Sequence, residues 1–165
     1  MPTLTNLVDA GELVRVEVEL EGELPWRTLL GTPAFVDWMA NVLPTLESTI
    51  VGGDITPEEQ VYSIFVDYVI GEHIQFHTED RRFKKLNPLQ RHVWEFKTLD
   101  IRVIGWVASR DVFICTYGEM KDEMELMRLY DRYIALTFGF RNRLELDEPK
   151  AVTGDQYDDV LSDAN

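Results

Sequence analysis

The chain of 165 residues carries one cysteine, Cys115, which excludes an intramolecular disulfide framework and a cysteine-rich zinc site. Histidines number three, His73, His77 and His92. His73 and His77 stand at i and i+4, the spacing of a helical metal pair, but no third ligand accompanies them and Gly71 ends the helical pattern before them. No metal is therefore expected. There is no glycine-rich phosphate loop, so a nucleotide-binding enzyme is not indicated, and no cofactor is expected. No apolar run approaches the ~18–20 residues that span a bilayer. The first residues, MPTLTNLVDAGEL, lack a basic segment followed by an apolar one, so neither a signal peptide nor a membrane partner is expected, and cytoplasmic residence is. Basic residues are scarce, 16 against 30 acidic, giving a net charge of -14. A surface of that sign repels nucleic acid wherever the charge is uniform. Apolar residues are not scarce. At 45% hydrophobic and 11% aromatic content the chain can bury a substantial core.

The charge is not uniform. Residues 1–80 contain 15 acidic and 2 basic residues, residues 81–143 contain 8 and 13, and residues 144–165 contain 7 and 1. A basic middle thus lies between two acidic flanks.

Periodicity supplies the elements. In Leu13–Leu20 the valines Val14, Val16 and Val18 alternate with Arg15, Glu17 and Glu19, the pattern of a half-buried strand. Glu17, Glu19, Glu21 and Glu23 share one parity, so an extended backbone sets them roughly 6.6–7 Å apart, either as a charged, soluble strand edge or as a row mimicking phosphates. Thr32-Pro33 starts a helix through Leu43, which Pro44 ends. Thr56-Pro57-Glu58-Glu59 is a capping box opening a second helix, with Val61, Ile64, Phe65, Tyr68 and Val69 along one face. His92–Thr98, Ile101–Val107 and Asp111–Tyr117 read as strands joined by short loops, hence an antiparallel meander. A helix is expected from Lys121 to Arg143. The acidic residues 144–165 read as a mobile tail or as an extension that orders on a partner. The expected fold is α+β: strand, two helices, three-stranded antiparallel meander, a C-terminal helix and an acidic tail, with residues 1–143 as one domain.

The stretch Arg81–Asp122 carries Trp94-Glu95-Phe96-Lys97, then Arg102-Val103-Ile104, then Val112-Phe113-Ile114 and Gly118. With the element order, this resembles the RelE/ParE toxin superfamily, in particular its phage-derived HigB-like branch, over roughly residues 13–121. The resemblance implies a ribosome-dependent endoribonuclease in which cations on the sheet hold the RNA backbone and stabilise charge as a 2′-hydroxyl attacks phosphorus. Lys97 and Arg102 match the cationic positions, with His92 and Tyr117 as proton-transfer candidates. Arg81, Arg82, Lys84, Lys85, Arg91 and Lys121 are candidates for nucleic-acid contact. The implied partners are mRNA on the ribosome and a cognate antitoxin. Where that family has two or three basic residues after the last strand, this chain has Glu119, Met120, Lys121, Asp122 and Glu123, a run that repels phosphate.

Each candidate has a plain structural role beside the chemical one. Arg102 can pair across the hairpin with Glu95 or Asp100. The run Arg81–Lys85 around Phe83 can be a solvated face, and Cys115 a small buried hydrophobe. Trp26, Trp38, Trp94 and Trp106 read as core or interface anchors. Two functions follow: an RNA-cleaving toxin-like enzyme, or a catalytically inactive acidic phage or mobile-element protein that binds and inhibits a nucleic-acid-binding host protein through charge complementarity.

Overall fold

The computed structural model describes residues 2–50, 52–77 and 79–164. Its helices are α1 (Leu4–Asp9), α2 (Pro33–Asn41), α3 (Pro57–Ile70), α4 (Lys121–Leu126), α5 (Tyr130–Arg143) and α6 (Tyr157–Val160). Its strands are β1 (Val14–Arg15), β2 (Thr28–Gly31), β3 (Phe83–Lys85), β4 (Trp94–Lys97), β5 (Ile101–Ser109) and β6 (Val112–Met120). They form one six-stranded mixed sheet in the order β1-β2-β6-β5-β4-β3. Only β2 and β6 are parallel; every other neighbouring pair is antiparallel. This is an α+β fold with a larger sheet than the sequence suggests. No helix among the described residues is long and apolar enough to cross a membrane.

Local chemistry explains the helix starts. The Thr32 hydroxyl accepts from the Phe35 amide at 3.1 Å and Pro33 occupies the first turn. At α3, Thr56 accepts from the Glu59 amide while Glu59 accepts from the Thr56 amide, both at 3.1 Å. Gly71 ends α3 at φ +86°, and a Cβ there would meet Trp26 and Ala164 below 3 Å, so both the conformation and the space require glycine.

Helices cover both sheet faces. On one, Phe35, Met39, Ile64, Phe65 and Tyr68 of α2 and α3 pack on Leu29, Phe83, Trp94, Phe96 and Phe113. Ring pairs knit this core, such as Phe96–Phe113 at 4.7 Å and Phe83–Trp94 at 4.8 Å. On the other, Leu7 of α1 packs on Leu30, Trp106 and Ile114, while Met124 and Ile134 of α4 and α5 pack on Val93 and Ile104. β5 is buried from Ile101 to Ala108, which is why IRVIGWVA reads almost continuously apolar. Within it Gly105 marks a register shift, and a Cβ there would lie 2.0 Å from the Ile114 carbonyl oxygen.

Three expectations need correction. The strand Leu13–Leu20 has ladder pairs only at Val14–Arg15, with one further backbone bond from the Val16 amide to Leu29, and the neighbour that carries it, β2, is a four-residue strand without alternation. The helix Lys121–Arg143 is two helices, because Arg128 takes φ +52°, a left-handed conformation incompatible with a continuous helix. The acidic extension does not hang free. Tyr157, Val160 and Leu161 are buried in the main core. The Val152 amide donates to Val107 at 2.9 Å and the Asp111 amide to Val160 at 2.8 Å. The Ala164 amide donates to Gly71 at 2.8 Å. Arg27, 2% exposed, donates to the carbonyls of Ser162 at 2.9 Å, Tyr68 at 3.0 Å and Glu72 at 2.9 Å, and pairs with Asp163 at 2.7 Å. The apolar residues at i, i+3 and i+4 supply the burial, and Arg27 answers the tail's charge.

Candidate phosphate-binding face of the sheet

Strand alternation sorts the basic middle. Trp94 and Phe96 point toward α3, so Glu95 and Lys97 point to the opposite face, beneath α5. Register then builds two rows. Lys97 opposes Arg102 and Arg102 opposes Glu119, while Glu95 opposes Ile104 and Ile104 opposes Tyr117. On the β3 side Lys84 opposes Glu95. Lys84, Lys97, Arg102 and Tyr117 therefore share one face, with Glu95 and Glu119 interleaved.

From above, α5 adds two tyrosines the sequence did not single out as site residues. The Tyr130 hydroxyl donates to Glu95 Oε1 at 2.8 Å and the Tyr133 hydroxyl to Glu119 Oε2 at 3.0 Å. Tyr133 also stacks on Tyr117, centroids 4.8 Å apart and planes 6° from parallel. The i, i+3 spacing of Tyr130 and Tyr133 was the available signal, since it puts both on one helical face.

Burial decides what the charges can do. Arg102 is 7% exposed and Glu95 2%. The Arg102 Nε lies 3.9 Å from Glu95 Oε1, and its Nη1 donates to the carbonyls of Thr98 at 2.7 Å and Ile101 at 3.1 Å. Its partner is thus Glu95 rather than Asp100. Asp100 is engaged elsewhere, by Ser48 Oγ and Gln60 Nε2 at 2.7 Å and by Thr49. Burial would raise the Asp100 carboxyl, but these bonds outweigh it and hold the group below its ordinary value.

The field on the sheet face is legible in the same terms. Burial raises the Glu95 carboxyl above its ordinary value, against the pull of Tyr130, Arg102, Lys97 and Lys84. Burial lowers the Lys97 ammonium, Arg102, Lys84 and Arg81 lower it further, and Glu95 opposes them. Arg81 therefore belongs to the same cationic field. Burial and the neighbouring Glu95 push Tyr130 upward, and burial with Glu119 pushes Tyr133 to about 12. Both stay protonated at neutral pH and act as hydrogen-bond donors, not as bases. Lys97 and Lys84 remain half-exposed.

The other expected residues lie apart. His92 precedes β4 at its far end, on the order of 15 Å from Lys97 along an extended chain. Its Nδ1 is 3.0 Å from Lys85 Nζ. Burial, then Lys85 and Arg141, lower its pKa, so the ring is neutral at pH 7. Lys85 is buried, on the face of Phe83, and its ammonium binds Asp155 and the carbonyls of Thr153 at 3.2 Å and Gly154 at 3.3 Å. It clamps the C-terminal segment. Arg82 turns to α3, pairing with Asp67 at 3.1 Å and with Gln75 at 2.6 Å. Arg91 lies over the Phe138 ring at 4.3 Å. Lys121 opens α4, its amide bonded to the Asp100 carbonyl at 2.6 Å and its side chain followed by Asp122 and Glu123. Cys115 is buried, and its thiol is pushed well upward by that burial. Among the described residues, no three His, Cys, Asp or Glu side chains gather as a metal site would need.

Comparison with protein-family models, with curated proteins and with solved structures gave no match.

Proposed function

We propose that the chain is a RelE/HigB-like protein of the toxin–antitoxin type, which holds an RNA backbone against Arg81, Lys84 and Lys97 and whose cleavage chemistry has decayed. The observation that carries this reading is the gathering of Lys84, Lys97 and Arg102 on one face of the sheet, with Lys84 and Lys97 half-exposed to a phosphate. Burial and these neighbouring cations lower the Lys97 ammonium, a shift that a phosphate would relieve. The run β2, α2, α3, β3, β4, β5, β6 supports it as well, being a strand, two helices and an antiparallel meander of β4, β5 and β6 with the short β3 added at its edge. Decay of the chemistry is inferred from Arg102, whose charge is spent on Glu95 beneath α5, and from His92, remote and bound up with Lys85. Tyr117 and Tyr133 form a flat aromatic pair suited to stacking a base beside the cations. In this reading the protein resides in the cytoplasm, meets mRNA on the ribosome and is held by an antitoxin.

Fluorescence anisotropy with a short single-stranded RNA tests the binding clause. Binding that weakens with salt and is lost in Lys84→Glu/Lys97→Glu supports it. Equal binding by that variant contradicts it. Programmed ribosomes test the second clause: intact mRNA is expected, and codon-specific cleavage relieved by Arg102→Glu/Lys97→Glu reinstates an active nuclease.

The acidic flanks favour a second reading, a catalytically inactive phage or mobile-element protein that inhibits a nucleic-acid-binding host protein. Residues 1–80, with 15 acidic and 2 basic residues, are suited to a basic partner.

A further inference from the structure

The edge of the sheet farthest from the cationic face has a different character. β1 stops at Arg15, but the chain runs on to Leu20 without turning. Val16 donates its amide to the Leu29 carbonyl at 3.0 Å, and the next backbone bond made by this segment is from the Glu23 amide to the Leu20 carbonyl, also at 3.0 Å. Between them, the amides and carbonyls of Glu17, Val18 and Glu19 have no protein hydrogen-bond partner among the described residues. Val16, Val18 and Leu20 pack inward on the main core, while Glu17 and Glu19 are exposed. The segment is an unused strand template.

A groove follows it. A cavity of about 560 Å³ is floored by Val14, Val16, Val36, Met39, Ala40 and Tyr62. Two more, of about 550 and 490 Å³, continue along Val18 and Leu20 against α3, and Tyr62 lines all three. Carboxylates rim this path: Glu17, Glu19, Glu21 and Glu23 from the segment, Glu58 and Glu59 from α3. Arg15 is the cation lining it. None of Glu17, Glu19, Glu21, Glu23 and Glu58 is in an ion pair among the described residues.

We infer that this edge binds an extended basic segment of a partner protein by strand addition, with lysines or arginines alternating with apolar residues. Backbone bonds to Glu17–Glu19 supply the pairing, and apolar residues of the guest enter the groove beside Tyr62. Alternate residues of any strand repeat at roughly 6.6–7 Å, so guest cations on one parity fall in register with Glu17 and Glu19. A polyanion is repelled from such a rim. So is a second copy of the same edge, which would set carboxylate against carboxylate. This inference draws on nothing in the cationic face and stands or falls separately from it.

The test uses the full chain, labelled with ¹⁵N, and an acetylated, amidated octapeptide of alternating lysine and valine. Saturable binding is expected, with amide shifts across Glu17, Val18 and Glu19 and slowed solvent exchange at Glu17 and Glu19, whose amides alternate with the Val16 amide bonded to Leu29 and so face the open edge. N-methylating the four central amides of the peptide keeps every charge and side chain but removes donors on both of its edges, and affinity should fall about tenfold or more. Glu17→Lys/Glu19→Lys in the protein should weaken binding by at least about tenfold, and Glu17→Gln/Glu19→Gln by less, with circular dichroism unchanged because both side chains are exposed. Equal affinity for the N-methylated peptide, or shifts centred away from residues 14–23, overturns the inference. In those cases the acidic rim attracts cations without pairing a strand.

Discussion

Arg27 joins the first half of the chain to the last residues, and replacing it shows how much the C-terminal segment contributes to the fold. Arg27→Met keeps the apolar stem but deletes the guanidinium. Three carbonyls, of Tyr68, Glu72 and Ser162, lose a charged donor at 2.9–3.0 Å, and Asp163 loses its cation at 2.7 Å. Removing one partner of a buried pair costs about 3–5 kcal/mol. Asp163 is 36% exposed and keeps bonds to Tyr157 and His73, so water and these partners recover part of that cost. The expected loss is therefore at the low end, about 3 kcal/mol, against a typical total of 5–15 kcal/mol. Urea unfolding should show a lower midpoint at unchanged slope. Amide exchange should accelerate at Ser162 and Ala164, whose amides bond Asp111 and Gly71. A loss below about 1 kcal/mol, with exchange unaltered, would refute the idea that Arg27 fastens this segment.

Three further outcomes follow from the same contacts. Val160→Ala removes two methyls from a fully buried site and should cost about 1–3 kcal/mol by urea unfolding, whereas a free tail would make it silent. Glu95→Gln removes the carboxylate facing Arg102, Lys97 and Lys84, and should tighten binding of a short RNA several-fold at low salt; weaker binding would contradict the electrostatic reading. His92 has a folded-state pKa below its ordinary 6.5, so the unfolded chain takes up the proton first. Stability from this group is whole above about pH 6.5 and is lost as pH falls toward its folded pKa; His92→Gln should flatten that part of a pH–stability curve.

Much of the layout is local and so readable in advance. Thr32-Pro33 and the Thr56–Glu59 box announce α2 and α3 because caps are written within four residues. β4, β5 and β6 announce themselves by apolar runs between short loops. β2 and β3 do not: four and three residues are too few for a period, and only pairing with β6 and β4 makes them strands. Tyr157, Val160 and Leu161 are diluted by acidic neighbours, and the core that receives them is assembled from distant segments. The same division runs through the site. Lys97 and Arg102 can be set opposite each other from the hairpin loop alone. That α5 lies over them, closing Arg102 onto Glu95, is a tertiary event. So is the parting of Lys84 from Lys85, which needs β3 to be seen as a strand before its two faces can be assigned.

The central claim is that phosphate sits among Arg81, Lys84 and Lys97. Its most direct measure is the titration of the Lys97 ammonium by heteronuclear NMR, with and without a short uridine oligonucleotide. The free protein should show Lys97 below the ordinary lysine value, through burial and the neighbouring Arg102. Bound phosphate should raise it, because an anion at hydrogen-bond distance favours the charged form. A Lys97 titration unmoved by saturating oligonucleotide would contradict the account.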